Sequence, residues 1–254
     1  MTASFDLTDR VALVTGGSRG LGREMVLGFA RAGADVVIAS RKLDACEALA
    51  KEVEAETGRA ALPYACHVGH WQQLEGLVDA AYDRFGKIDV LVNNAGMSPL
   101  YESLAGVTEE LYDKVFDVNL KGPFRLTALA GTRMVEAGRG SIIFVSSTGS
   151  LHPTAGIVPY AAAKAGVNAM TVGFAQAYGP NVRVNCIIPG AFATDVTNWW
   201  DDATKKAAAA NPPLKRIGGP EEIVGTALYL ASDASSYTTG AHIVVDGGSA
   251  ASTP

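Results

Sequence analysis

Seven short apolar runs, mostly β-branched, recur along this chain without the in/out alternation of a half-exposed strand: Val11–Val14, Val36–Ala39, Ala60–Tyr64, Ile88–Val92, Ser141–Val145, Val182–Ile187 and His242–Val245. An unbroken run fits a strand covered on both faces, the condition of a parallel sheet flanked by helices. Helix-like segments lie between the runs, at Leu21–Ala32, Leu43–Glu56, Trp71–Phe85, Glu109–Glu136, Tyr160–Tyr178 and Glu221–Ala231. This alternation predicts right-handed crossovers and an α/β fold, with one doubly wound, Rossmann-like parallel sheet forming a single domain over residues 1–254. Composition agrees: 48% of the 254 residues are hydrophobic and 19% charged, enough apolar material for one large core.

The rhythm breaks between Pro189 and Pro220, where no strand is expected and where Trp199 and Trp200 fall. Doubly wound sheets bind ligands beyond the carboxyl ends of their strands, so a substrate lid is expected at about residues 191–213. The competing reading is a surface helix that packs its tryptophans on the core, and the run Ala207–Ala210 after Lys205 and Lys206 also reads as helix.

Three motifs carry chemistry. Thr15-Gly16-Gly17-Ser18-Arg19-Gly20-Leu21-Gly22 follows the first strand and opens the first helix. Glycines there let the backbone approach a pyrophosphate, whose charge the helix amino terminus favours. Asn93-Asn94-Ala95-Gly96 follows the fourth strand and can hold a cofactor or fix its neighbour strand. Tyr160 and Lys164 share a helix face at i,i+4, and a nearby cation favours the phenolate of a group that titrates at about 10. Ser147, at the end of the fifth strand, is expected at the same edge of the sheet, where its hydroxyl can hold a carbonyl oxygen that Tyr160 protonates.

Together TGGSRGLG (15–22), NNAG (93–96), Asn119 in VNLKG, Ser147, YAAAK (160–164), PGAFAT (189–194) and VDGG (245–248) resemble the short-chain dehydrogenase/reductase family from about Leu7 to Gly248. The resemblance implies a catalytic tetrad of Asn119, Ser147, Tyr160 and Lys164. Tyr160 would be the acid/base, Ser147 would polarise the substrate oxygen, Lys164 would depress the phenol and hold the nicotinamide ribose, and Asn119 would support a water relay. Ser146 is a rival to Ser147, whose 13-residue spacing to Tyr160 matches the family. The dinucleotide would be held by Gly16, Ser18, Arg19, Gly20, Leu21 and Gly22, by Asn94, Ala95 and Gly96, and by Tyr160 and Lys164. Pro189, Gly190, Phe192 and Thr194 would line the nicotinamide. The resemblance implies that His67 and Val68 would lie near the adenine, where the family often has Asp and a small apolar residue.

Cofactor choice is read after the second strand. An NAD enzyme usually places Asp or Glu there, whereas this chain places Ser40 and Arg41, and the resemblance implies that Arg19 lies near the same ribose, so NADP(H) is expected. His67 and His70 stand at i,i+3 without acidic or cysteine partners, and no metal is expected. Met97, Leu100, Leu151, Ile157, Phe192, Trp199 and Trp200 suggest an apolar substrate pocket, with His152 at its rim.

The expected activity is therefore NADP(H)-dependent interconversion of a ketone or aldehyde and an alcohol, as in a carbonyl reductase or alcohol dehydrogenase. A 3-oxoacyl-acyl-carrier-protein reductase is the alternative, disfavoured because Val135–Gly140 offers only Arg139 and Gln176–Asn181 no basic residue to an acidic carrier. A non-catalytic dinucleotide sensor would have lost the tetrad. The net charge of -5 lacks the basic footprint of a nucleic-acid binder, and no apolar run approaches the ~18 residues of a membrane span. The start MTASFDLTDR has no signal-peptide pattern and the three cysteines form no CxxC pair, so the expectation is a cytoplasmic protein. Helices Glu109–Glu136 and Tyr160–Tyr178, apolar over much of their surfaces, are expected to pair with other copies in a homotetramer.

Overall fold

The computed structural model describes residues 5–195, 197 and 200–252. Its strands are β1 (Val11–Thr15), β2 (Asp35–Ser40), β3 (Ala61–Ala65), β4 (Val90–Asn93), β5 (Gly140–Val145), β6 (Val182–Pro189) and β7 (His242–Val245). They form one seven-stranded sheet in the order β3-β2-β1-β4-β5-β6-β7, with every neighbouring pair parallel. Val14 pairs in register with Ile38 on one side and Val92 on the other, so β1 sits where the winding reverses. Connections leaving β1 and β4 diverge there and open a crevice at the carboxyl edge.

The helices are α1 (Gly20–Arg31), α2 (Leu43–Thr57), α3 (Gln73–Phe85), α4 (Glu109–Phe116), α5 (Gly122–Glu136), α6 (Val158–Tyr178), α7 (Asp202–Ala210) and α8 (Val224–Ala231). They cover both faces of the sheet, which explains the unbroken apolar strands. In β1, Ala12 and Val14 join the core under α1, α2 and α8, while Val11 and Leu13 join the core under α3, α5 and α6. Close packing selects small residues: a Cβ on Gly28 of α1 would stand 2.4 Å from the Val224 side chain at the start of α8.

The expected continuous helix 109–136 is corrected. α4 and α5 are joined by a π-helical turn, Asp117–Lys121. Pro123, in the first turn of α5, has no N–H to close an i→i−4 bond on the Asn119 carbonyl. Gly122 also lies so close to the β3–α3 connection that a Cβ would fall 2.1 Å from the Val68 carbonyl oxygen. The segment after Pro189 is likewise less irregular than expected, since it contains α7 and a parallel bridge between Phe192 and Gly218.

The opposite edge of the sheet is knotted by charge. Asp89, just before β4, is 4% exposed, accepts from the Val11 amide at 2.9 Å, and has Lys87 at 3.3 Å, Arg139 at 3.5 Å and Arg10 at 3.9 Å. It ties together the amino-terminal ends of β1, β4 and β5. Cys46, Cys66 and Cys186 are buried free thiols.

Candidate active site

The turn after β1 shows why glycine is required. Gly16 and Gly20 have φ of 62° and 53°, and a Cβ on Gly22 would meet the Gly16 carbonyl oxygen at 2.2 Å. Asn94 locks this turn to β4: its Nδ2 donates to the carbonyls of Thr15 at 2.9 Å and Gly16 at 3.2 Å. The amides of Asn94 and Ala95 donate to the Thr15 hydroxyl at 3.1 and 3.2 Å. The NNAG segment thus clamps the loop from beneath. α1 opens at Arg19 with no side-chain cap and no acidic residue in its first turn. Its first amides face a narrow glycine-lined cradle, an arrangement that suits the pyrophosphate of a dinucleotide.

At the end of β2, Ser18 and Ser40 share a hydroxyl hydrogen bond of 2.9 Å, and Cys46 Sγ lies 3.1 Å from the Ser40 hydroxyl. Arg41 is exposed beside them, and Arg19 reaches Asp195 at 3.7 Å with both ends exposed. The nearest following acid, Asp44, is exposed on α2. His67 is half-buried and stacks on His70 with ring centres 4.3 Å apart, and its Nδ1 accepts from the Gly69 amide at 3.2 Å. Burial, then His70 and Arg41, hold its pKa below the ordinary value, so the ring is neutral and presents its Nε2–H. Val68 is buried beneath it. No group of three or more side chains suited to a metal is present among the described residues.

Tyr160 and Lys164 lie in the first turns of α6 and Ser147 at the end of β5. Ser147 and Tyr160 meet over Gly149, where a built Cβ would lie 3.4 Å from the Ser147 hydroxyl and 3.8 Å from the Tyr160 ring. Burial pushes the phenol above its ordinary pKa and the Ser147 hydroxyl pulls it back. Lys164 is buried, donates to the Val145 carbonyl at 2.8 Å and sits 5.8 Å from the Tyr160 ring centre. Burial brings its pKa down to about 8. Ser146 turns away, within 3.2 Å of the Lys164 carbonyl. Asn119, in the π turn, spends its side chain on backbone: Nδ2 donates to the carbonyls of Met97 and Val115, each at 2.8 Å, and Oδ1 accepts from the Met97 amide at 3.2 Å. Gly96 draws these parts together, because its Cβ would lie 3.0 Å from Asn119 Oδ1 and 3.5 Å from Lys164 Nζ.

Pro189 ends β6, Gly190 donates to Val245, and Phe192 is buried in the core under α1. Thr194 stands over the glycine loop, 3.5 Å from a Cβ built on Gly20. The apolar pocket residues are not enclosed together. Met97 packs against the core, Leu151 and His152 are exposed, and Trp200 is half-buried. Trp199 lies outside the described residues. Sequence reasoning missed Tyr101, whose hydroxyl donates to Ala155 at 2.6 Å and accepts from the first amide of α6 at 2.9 Å. No short-range pattern links those positions.

A family model described as enoyl-(acyl carrier protein) reductase matches residues 16–250. The 3-oxoacyl-[acyl-carrier-protein] reductase FabG of Thermotoga maritima is 39% identical over 95% of this chain and 98% of its own length. Among solved structures, a short-chain type dehydrogenase/reductase of Mycobacterium marinum superposes with a TM-score of 0.90 at 37% identity, covering 97% of each chain. The NADPH-dependent 3-quinuclidinone reductase of Rhodotorula rubra gives 0.92 at 29% identity, covering 97% of this chain and 93% of its own. Sheet order, the glycine cradle, the Ser147–Tyr160–Lys164 arrangement and these likenesses over nearly the whole length agree: the chain belongs to the short-chain dehydrogenase/reductase family of oxidoreductases.

Proposed function

We propose that the protein is an NADP(H)-dependent carbonyl reductase or alcohol dehydrogenase. The observation that carries this reading is the convergence of Ser147, Tyr160 and Lys164 at one edge of the sheet. A Cβ on Gly149 would lie 3.4 Å from the Ser147 hydroxyl and 3.8 Å from the half-buried Tyr160 ring, and the Lys164 ammonium sits 5.8 Å from the centre of that ring. Bound NADP(H) supplies or accepts the hydride. Gly16, Gly20, Leu21 and Gly22 bind its pyrophosphate through backbone, and Asn94, Ala95 and Gly96 hold that loop against β4. Ser18, Arg19, Ser40 and Arg41 bind a 2′-phosphate: two guanidiniums and two hydroxyls suit a dianion, no carboxylate follows β2 directly, and the phosphate takes Arg19 from its exposed partner Asp195. His67 Nε2–H and Val68 border the adenine. Pro189, Gly190, Phe192 and Thr194 border the nicotinamide, and the NADPH dependence of the 3-quinuclidinone reductase supports this cofactor choice.

For reduction, Ser147 orients the substrate oxygen and Tyr160 delivers a proton to it. Lys164 stabilises the phenolate that remains and holds the nicotinamide ribose, and the Asn119 segment supports a water relay behind Lys164. Residues 191–213 act as a lid over an apolar substrate bounded by Met97, Leu151, His152 and Trp200. The protein works as a cytoplasmic homotetramer. Carrier-bound 3-oxoacyl thioesters form the second reading, favoured by the 39% identical relative and opposed by the segments Val135–Gly140, which offers only Arg139, and Gln176–Asn181, which offers no basic residue.

The test is a panel of 3-quinuclidinone, levodione, ethyl acetoacetate and an acetoacetyl thioester, free and carrier-bound, run with each reduced cofactor. Turnover of a free ketone with at least about tenfold higher kcat/KM for NADPH than for NADH is expected. Tyr160→Phe should lower kcat by ~10²-fold or more with cofactor affinity intact. Preference for NADH, or near-parental turnover by Tyr160→Phe, contradicts the reading, and turnover of the carrier-bound thioester alone transfers it to the second.

A further inference from the structure

Behind Ser147 runs a chain of hydrogen bonds that these steps leave unused. Ser147 opens a short 3-10 turn, Thr148–Ser150, and its hydroxyl accepts from the Gly149 amide at 3.1 Å. The Ser150 hydroxyl donates to the Ser147 carbonyl at 2.7 Å, and the Ser150 amide reaches the same oxygen at 2.9 Å. The Ser150 oxygen in turn accepts from Nδ2 of Asn168 at 2.9 Å. Asn168 stands one turn beyond Lys164, so Tyr160, Lys164 and Asn168 form one stripe of α6 at successive i,i+4 steps. Asn168 is fixed from the sheet side as well: its Oδ1 lies 3.9 Å from Cys186 Sγ on β6, and its carbonyl 3.1 Å from the His242 ring on β7.

We propose that Ser150 and Asn168 are a positioning pair, which fixes the turn bearing Ser147 to the same helix that carries Tyr160 and Lys164. Lys164 and Ser146 tie the end of β5 itself to α6, whereas Ser150 and Asn168 tie the turn beyond Ser147, and a misplacement of about 1 Å there can cost ~10²-fold in rate. Ser146 does not substitute, because its single proton is shared between the Lys164 carbonyl at 3.2 Å and Ser150 at 3.3 Å. Asn168 donates, Ser150 passes the order on, and the Ser147 carbonyl receives it.

This inference rests on the assignment of Ser147 and Tyr160 above. In the full-length enzyme, assayed with a ketone of the panel that the parent reduces, Ser150→Ala should lower kcat about tenfold without changing the dissociation constant of NADPH. Asn168→Asp should do the same, because a carboxylate takes the Ser150 proton away from Ser147. Ser150→Thr keeps the hydroxyl and should stay within about twofold of the parent. Added to Ser147→Ala, Ser150→Ala should cause no further loss, since its effect acts through Ser147. Parental kcat in Ser150→Ala, or losses that multiply in the double variant, overturns the pair while an inactive Tyr160→Phe leaves the acid/base assignment standing. An active Tyr160→Phe overturns that assignment and the pair with it.

Discussion

Lys164 shows at one residue how reactivity opposes stability. Its ammonium is buried against the Val145 carbonyl, and burial lowers its pKa from 10.5 to about 8. Between those values the unfolded chain binds the proton more tightly than the folded one, so stability should rise with pH across that window. The displacement corresponds to a cost on the order of 3 kcal/mol in the charged form. Lys164→Met removes that cost and orphans one carbonyl, a loss of about 1–3 kcal/mol. The variant should therefore melt at pH 7 at or above the parental temperature while losing activity by orders of magnitude, as calorimetry and the ketone assay would show; a melting point lower by more than about 5 °C would contradict this. At this scale the sequence was informative where partners share a helix or a turn. Tyr160 and Lys164 could be read by spacing, whereas Asn168 on the same stripe was not singled out. Ser150 and Tyr101 could not, because their partners sit on other elements and only the folded packing joins them.

All seven strands were legible to within a residue or two; burial on both faces dictated the pattern in the inner ones, while the edge strands β3 and β7 are partly exposed and kept their apolar runs. The division of 109–136 was not, because both halves keep a helical period, and Gly122-Pro123 was its only local sign. Within the segment proposed as a lid, α7 is weakly attached. α7 buries none of its residues, is capped by Asp201 accepting from the Thr204 amide at 2.7 Å, and leads to Asn211, which donates to Ser249 at 2.7 Å. Helices so exposed open locally at little cost. Amides of 202–210 should exchange fast in the free protein and slow at least about tenfold with NADPH and an alcohol product bound. Equal exchange in both states would mark the segment as a static surface helix.

Across the whole molecule, the faces of α4, α5 and α6 leave apolar surface uncovered by the chain's own sheet. Tyr112 and Phe124 are each 43% exposed beside a hollow of about 630 Å³ that Phe116, Leu120 and Met170 also line. Burial of this surface against other copies should produce a tetramer by light scattering at micromolar concentration, and Phe124→Glu should reduce its mass by at least half without unfolding the subunit. A monomeric parent would refute the assembly. Asp89, by contrast, holds the strands at the edge of the sheet away from the groups proposed to meet substrate or cofactor. Cohesion and chemistry thus draw on different residues, and evolution can redraw the loops that choose a substrate while the foundation of the sheet stays untouched.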